Sequence, residues 1–95
     1  MSAGAAGGAA AAGAAIAQAI KASGVLVRVA PAEFLRVLHR QREPLVVHAK
    51  SGFFRTSYQY LTSYKGLAFF AKSPEPLNLP SGCELVEAGG ISIPG

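Results

Sequence analysis

The chain has 95 residues, of which 51% are hydrophobic and 15% charged, and its formal net charge is +4. This length leaves room for one domain and no more. The single cysteine excludes an internal disulfide framework and favours a reducing, cytoplasmic setting. Because the first 15 residues are almost entirely Ala and Gly, roughly 80 remain for a core, a size at which association with a second copy would add useful stability.

The N-terminal tract of Ala and Gly can bury little surface. Residues 1–8 contain three glycines, which weaken helix formation, so we predict a disordered tail there. Residues 9–22 predict an Ala-rich helix, because Ile16 and Ile20 share one face and Ser23-Gly24 supplies a stop. The tract lacks the strongly apolar residues of a membrane span and the basic start of a secretory signal, so we expect no membrane partner.

Residues 23–95 carry the pattern of one small α+β domain. The β-branched run Val25–Val29 predicts a strand. A helix is predicted from Ala32 to Gln41, because apolar residues recur there at helical spacing between two prolines. Leu45–Ala49 is apolar enough for a central strand. Strand, helix and strand then form a βαβ-like unit, with a right-handed crossover if the two strands are parallel and paired.

The stretch from Ser51 to Lys72 holds seven of the eight aromatic residues. Residues 58–64 alternate, with tyrosines on one side, which predicts a strand. A capped helix is the second interpretation of the same residues. We favour the strand because Lys65-Gly66 is a compact turn that would form a hairpin with residues 67–71.

The C-terminal part is rich in glycine and proline. Ser73–Pro76 ends the hairpin, and residues 83–87 predict a last strand. Residues 91–93 are expected to pair at an edge of the sheet. The predicted fold is therefore α+β in two layers: a mixed sheet of four or five strands packed against one main helix, with an Ala-rich N-terminal helix in front.

No combination of residue types indicates catalysis. The chain has no Asp, and its five glutamates are not spaced for paired acid–base chemistry. His39, His48 and Cys83 could together supply three zinc ligands, but no local spacing supports such a site. The glycine loops do not fit a phosphate-binding pattern. We predict no catalytic residue, no metal site and no cofactor, and no small-molecule substrate can be assigned.

Charge is divided unevenly along the chain. From Val25 to Lys72 eight basic residues face two acidic ones, whereas the residues after Lys72 include three glutamates and no basic residue. A basic middle next to an acidic tail can attract a polyanion, or can let the tail of one copy meet the middle of another. A solvated basic surface with no partner is the simplest interpretation.

The strongest candidate site combines tyrosines with basic residues. Such a surface stacks bases and holds phosphates, and Tyr and Arg are also favoured anchors of protein interfaces. The structural alternative is that the tyrosines pack beneath the main helix. The candidate binding residues are Arg28, Lys50, Arg55, Tyr58, Tyr60, Tyr64, Lys65 and Lys72.

Two functions follow from these features. The first is a non-catalytic binding or assembly module, a homo-oligomer that self-associates through sheet edges, the tyrosine-rich face or the Ala-rich helix. The alternative is a protein that binds single-stranded RNA or DNA with a face of tyrosine, arginine and lysine. The direction in which the tyrosines point would distinguish the two, and a slip of one residue in strand register reverses that direction.

Overall fold

The computed structural model describes residues 3–52, 54–89 and 91. Two helices and five strands are formed in this part of the chain, and the predicted α+β class with a mixed sheet is confirmed. In chain order the elements are α1 (Ala3–Ala22), β1 (Val25–Arg28), α2 (Pro31–His39), β2 (Leu45–Ser51), β3 (Ser57–Tyr64), β4 (Leu67–Ser73) and β5 (Glu84–Glu87).

The sheet has the strand order β1-β4-β3-β2-β5. Its centre is an antiparallel meander of β2, β3 and β4, and each edge strand joins this meander in parallel, β1 along β4 and β5 along β2. Of these five strands, β3 therefore runs in one direction and the other four in the opposite direction. The strands on either side of α2, β1 and β2, are parallel but not paired, because β4 and β3 lie between them.

A tight hairpin joins β3 to β4. Lys65 and Gly66 both have positive φ, 51° and 78°, and Tyr64 is directly opposite Leu67. A two-residue loop with both central residues at positive φ is a type I′ turn, whose twist matches that of the flanking strands. The strand interpretation of residues 58–64 is confirmed, and the helical alternative is wrong.

The Ala-rich helix α1 begins at Ala3 rather than at residue 9. Alanine is the best helix former, so a tract this rich in Ala tolerates the cost of about 1 kcal/mol that each glycine adds. One of these glycines has a packing role: a Cβ on Gly13 would overlap the backbone carbonyl of Glu87. Residues 1 and 2 of the predicted tail, and residues 92 and 93 of the predicted edge segment, lie outside the described residues.

The two helices cover opposite faces of the sheet. Neighbouring strand residues such as Tyr60 and Leu61 point to opposite faces, and they belong to two separate clusters of buried side chains. The buried residues of the α1 cluster are Ala17, Ile20, Val47, Ala49, Leu61, Ala68, Phe70, Ala88 and Ile91. Those of the α2 cluster are Phe34, Leu38, Val46, Tyr60 and Ala71. The Ala-rich helix thus adds a layer to the unit formed by the sheet and α2.

Candidate functional site

The three tyrosines of β3 lie on the face of the sheet that α2 covers. Tyr60 is only 4% exposed, and its ring centroid lies 6.0 Å from that of Phe34. Its hydroxyl accepts a hydrogen bond of 2.9 Å from the backbone N–H of Leu77, in the segment after β4. Tyr60 is therefore part of the core, as the structural alternative expected, and its ring is not accessible to a ligand.

Tyr58 and Tyr64 are half-buried at opposite ends of β3. Six residues of strand separate them by about 20 Å. Tyr58 packs at the border of the α2 cluster, whereas the ring of Tyr64 has the Nζ of Lys65 at 5.3 Å, next to the hairpin turn. The eight predicted binding residues consequently do not form one continuous surface.

Four of the predicted residues lie at the end of the sheet where β1, β2 and β4 finish. We call this group the cationic end; all four of its side chains are exposed. Strand register places Lys50 opposite Tyr58 and Lys72 opposite Gln59 on strand β3. The two lysines therefore lie near the same end of the sheet but on opposite faces. The cationic end consists of Arg28, Lys50, Arg55 and Lys72.

Two open depressions meet at the cationic end, and both contain Lys72. The first has a volume of about 300 Å³ and the second of about 330 Å³. The first is lined by Arg28, Val29, Ala30, Pro31, Phe70 and Lys72. The second is lined by Arg55, Thr56, Ser57, Lys72, Ser73 and Pro74. Because Lys72 lines both, the two depressions are adjacent, and we refer to them together as the groove.

Two features of the groove affect its charge. The guanidinium of Arg28 lies over the ring of Phe70, 5.6 Å from its centroid, which restrains a side chain that is otherwise exposed. Of the nearby carboxylates, Glu33 in the first turn of α2 forms an ion pair of 3.0 Å with Arg36. Glu75 follows in the loop after β4, where its N–H donates to the hydroxyl of Ser73. The groove itself is lined by cations and not by carboxylates.

The outer side of β1 is unpaired among the described residues. The N–H of Val29 donates to the carbonyl of Phe70 in β4 at 2.9 Å. Because the residues of a parallel strand alternate in the side to which their backbone groups point, the N–H and C=O groups of Leu26 and Arg28 face outward. These groups can pair with another strand.

The outer side of β5 is likewise unpaired by any strand in the described ranges. The N–H of Glu84 donates to Pro44 at 2.8 Å, and that of Ala88 donates to His48 at 2.9 Å, so both point toward β2. The alternate residues, Leu85 and Glu87, therefore point their N–H and C=O groups away from β2. Of these groups, the carbonyl of Glu87 is covered by the backbone of Gly13 in α1.

Exposed apolar side chains mark the same two edges. Among the described residues the large hydrophobic side chains that stay exposed are Val25 at 67%, Leu85 at 52% and Phe54 at 94%. Val25 lies on β1 and Leu85 on β5. The sequence did not single out either residue as a site, because Val25 continues an ordinary strand pattern and only the strand order reveals that both strands are edges.

The residues considered for a metal site do not converge. Within residues 3–52, 54–89 and 91, no group of three or more His, Cys, Asp or Glu side chains is placed to hold a metal ion. Cys83 packs against the α2 cluster, and burial raises the pKa of its thiol above the ordinary value.

No protein-family model matches the chain, and no curated protein or solved structure is significantly similar to it. In the part of the chain that the structure describes, none of the helices has the length and apolarity needed to cross a membrane. Inferences about function therefore rest on the two geometric features above, the open edges and the cationic end.

Proposed function

We propose that this chain is a non-catalytic assembly module that joins to copies of itself through the edges of its sheet. The observation that carries the proposal is the coincidence, on β1 and on β5, of outward backbone groups with an exposed apolar side chain, Val25 or Leu85. An edge strand with unpaired N–H and C=O groups is a template for pairing with another chain. Apolar side chains beside such an edge favour that pairing, because association removes them from water.

The sheet edges have more support than the other two routes to self-association. The tyrosine-rich face is largely covered, since Tyr60 is buried beneath α2. The C-terminal half of α1 uses Ala17 and Ile20 to cover the opposite face of the sheet. On the edges, the outward backbone groups of Leu26 and Leu85 have no strand beside them in the described structure, and Val25 and Leu85 are exposed there.

The proposal of a non-catalytic, cytoplasmic module also draws on composition. The chain has no Asp, and its five glutamates are scattered. A single cysteine leaves no internal disulfide to form, which suits a reducing compartment.

Association through these edges is expected to be weak. β1 and β5 have four residues each, and each hydrogen bond formed contributes about 1 kcal/mol net. Binding must also offset the loss of translational and rotational freedom, on the order of 4–15 kcal/mol. We therefore expect oligomers at high micromolar concentration and monomers in dilute solution.

Light scattering on the full chain over a range of concentrations tests the proposal. The average mass should rise above the 9.7 kDa of one chain as concentration increases. Val25→Lys and Leu85→Lys should each lower the mass, because a charged side chain blocks an edge. Gln18→Lys, which adds the same charge on an exposed position of α1, is the control and should leave association unchanged. A constant mass of one chain up to high micromolar concentration contradicts the proposal.

A second candidate function is the binding of a single-stranded nucleic acid at the cationic end. The observation that favours it is the groove in which Lys72 connects the depressions of Arg28 and Arg55. A row of cations of this kind can follow a phosphate backbone. Exposed Phe54 lies in the loop next to Arg55, and a base stacked on its ring would add to the phosphate contacts.

Binding of an arbitrary oligonucleotide at several salt concentrations tests this candidate. Lys72→Ala and Arg55→Ala should each weaken binding and reduce the slope of log K against log salt by about 1. Lys65→Ala is the matched control, because Lys65 lies in the turn at the opposite end of β3, and it should have little effect. An absence of binding at low salt contradicts this candidate and leaves the assembly proposal untouched.

A further inference from the structure

We infer that the copies associate head to tail, so that the β5 edge of one copy adds in parallel to the β1 edge of the next and continues the sheet. This inference rests on the proposed self-association and names its partner surface. It follows from strand direction, from the outward backbone groups, from the exposed side chains and from charge.

Strand direction permits such a continuation. β1 and β5 are the two outermost strands, and both run in the direction of β4 and β2. When one sheet is placed beside another in the same orientation, β5 of the first copy and β1 of the second are neighbours and parallel. The new pair then repeats an arrangement that the chain already uses twice, between β1 and β4 and between β5 and β2.

The outward groups define the register of this pair. In a parallel ladder a residue bonds to the two residues that flank its opposite number on the neighbouring strand. Leu26 can therefore donate to the carbonyl of the partner's Leu85 and accept from the N–H of the partner's Glu87, with Val86 of the partner subunit opposite it. The carbonyl of Glu87 lies against Gly13 of its own α1, so the backbone hydrogen bonds of the new pair are those of Leu26.

The exposed apolar side chains agree with this register. Val29 belongs to the border of the α2 cluster, so Val25, which alternates with it, lies on the same face of the sheet. Leu85 is aligned with Val46, a buried residue of the α2 cluster, and so lies on that face too. In the register above, Val25 is directly beside the partner's Leu85. The exposed apolar residues of the two edges thus cover each other. If the partner strand were shifted by two residues, Val25 and Leu85 would no longer be side by side.

Charge favours unlike edges over like ones. β1 carries Arg28 and no acidic residue, and its neighbour β4 carries Lys72. β5 carries Glu84 and Glu87 and no basic residue. Two β5 edges would bring four carboxylates together, and two β1 edges would bring their arginines together, whereas the head-to-tail pair joins a negative edge to a positive one.

In any open assembly, a head-to-tail contact leaves a β1 edge unpaired at one end and a β5 edge unpaired at the other. Such heterologous contacts generate filaments, or rings if the rotation closes. The average mass of the natural chain should therefore continue to rise beyond two copies, while an isologous contact would stop at a dimer.

Two proline variants test the polarity of the contact. Arg28→Pro and Glu87→Pro each place a proline ring on the outer side of an edge strand, where it obstructs the approach of a second strand. The N–H groups that they remove point outward, so the hydrogen bonds inside the sheet are kept. Each variant alone should be a monomer, with self-association weakened at least tenfold. An equimolar mixture should form a dimer and nothing larger, because each variant supplies the edge that the other has lost.

Circular dichroism and thermal unfolding establish that each variant folds. If a proline variant does not fold, Val25→Lys and Leu85→Lys block the same two edges through exposed side chains and should give the same dimer on mixing. An isologous contact would show a different pattern: one variant would still form dimers by itself, and mixing would add nothing. That result, or the absence of a mixed dimer while the natural chain assembles, overturns the head-to-tail inference. A natural chain that stays monomeric overturns the proposed function itself.

Discussion

The centre and the edges of this sheet use the same kinds of residue for different purposes. In the central strands Val46, Val47 and Leu61 are completely buried, because a helix covers each face. On the edge strands Val25 and Leu85 are more than half exposed. The comparison teaches that position in the sheet, not residue type, decides whether an apolar side chain stabilises the fold or is available to a partner.

The largest effect on stability is expected at the centre. Leu61→Ala removes a completely buried side chain from the α1 cluster, and a change of this kind costs about 2–5 kcal/mol. Urea denaturation, read by circular dichroism, measures the change in the free energy of unfolding. A loss well below 1 kcal/mol would mean that β3 is not packed on both faces, and the contrast between centre and edges would fail.

A smaller effect is expected where the core meets the segment after β4. Tyr60→Phe removes the hydroxyl that accepts from the N–H of Leu77, and a partly buried N–H left without its partner costs about 1–2 kcal/mol. Tyr64→Phe, at the half-buried end of the same strand, is the matched control and should change the free energy of unfolding by less than about 0.5 kcal/mol. Equal losses for the two variants would contradict the assignment of Tyr60 to the core.

The smallest effect on stability is expected at the edges. Val25→Lys and Leu85→Lys replace exposed side chains, so each should change the free energy of unfolding of the monomer by no more than about 0.5 kcal/mol. The same variants should lose self-association. Denaturation in dilute solution, compared with light scattering in concentrated solution, separates the two readouts. An edge variant that destabilises the monomer by several kcal/mol would show that the edge strand has a structural role instead.

The elements of the fold could be predicted from local patterns. The alternation of residues 58–64 and the Lys65-Gly66 turn were sufficient for the hairpin, because a type I′ turn depends on the two turn residues themselves. The helix between Pro31 and Pro44 could likewise be predicted from its own residues. Its observed bounds, Pro31–His39, differ from the predicted ones by one or two residues.

The arrangement of these elements could not be predicted in the same way. Alternation places Tyr58, Tyr60 and Tyr64 on one face, but which face α2 covers depends on the long-range pairing of β1 with β4 and of β2 with β3. For the same reason the sequence pointed to the tyrosines as a binding surface, although Tyr60 is buried. Val25 and Leu85 become notable only when the strand order makes their strands the edges.

Amide hydrogen exchange, followed by NMR in dilute and in concentrated solution, tests the central claim most directly. The account predicts that the outward N–H groups of Leu26 and Glu87 exchange rapidly in dilute solution and become protected as concentration rises, while inward groups such as that of Val29 are protected throughout. If the exchange of these two amides does not depend on concentration, the edges of the sheet do not join copies of this chain.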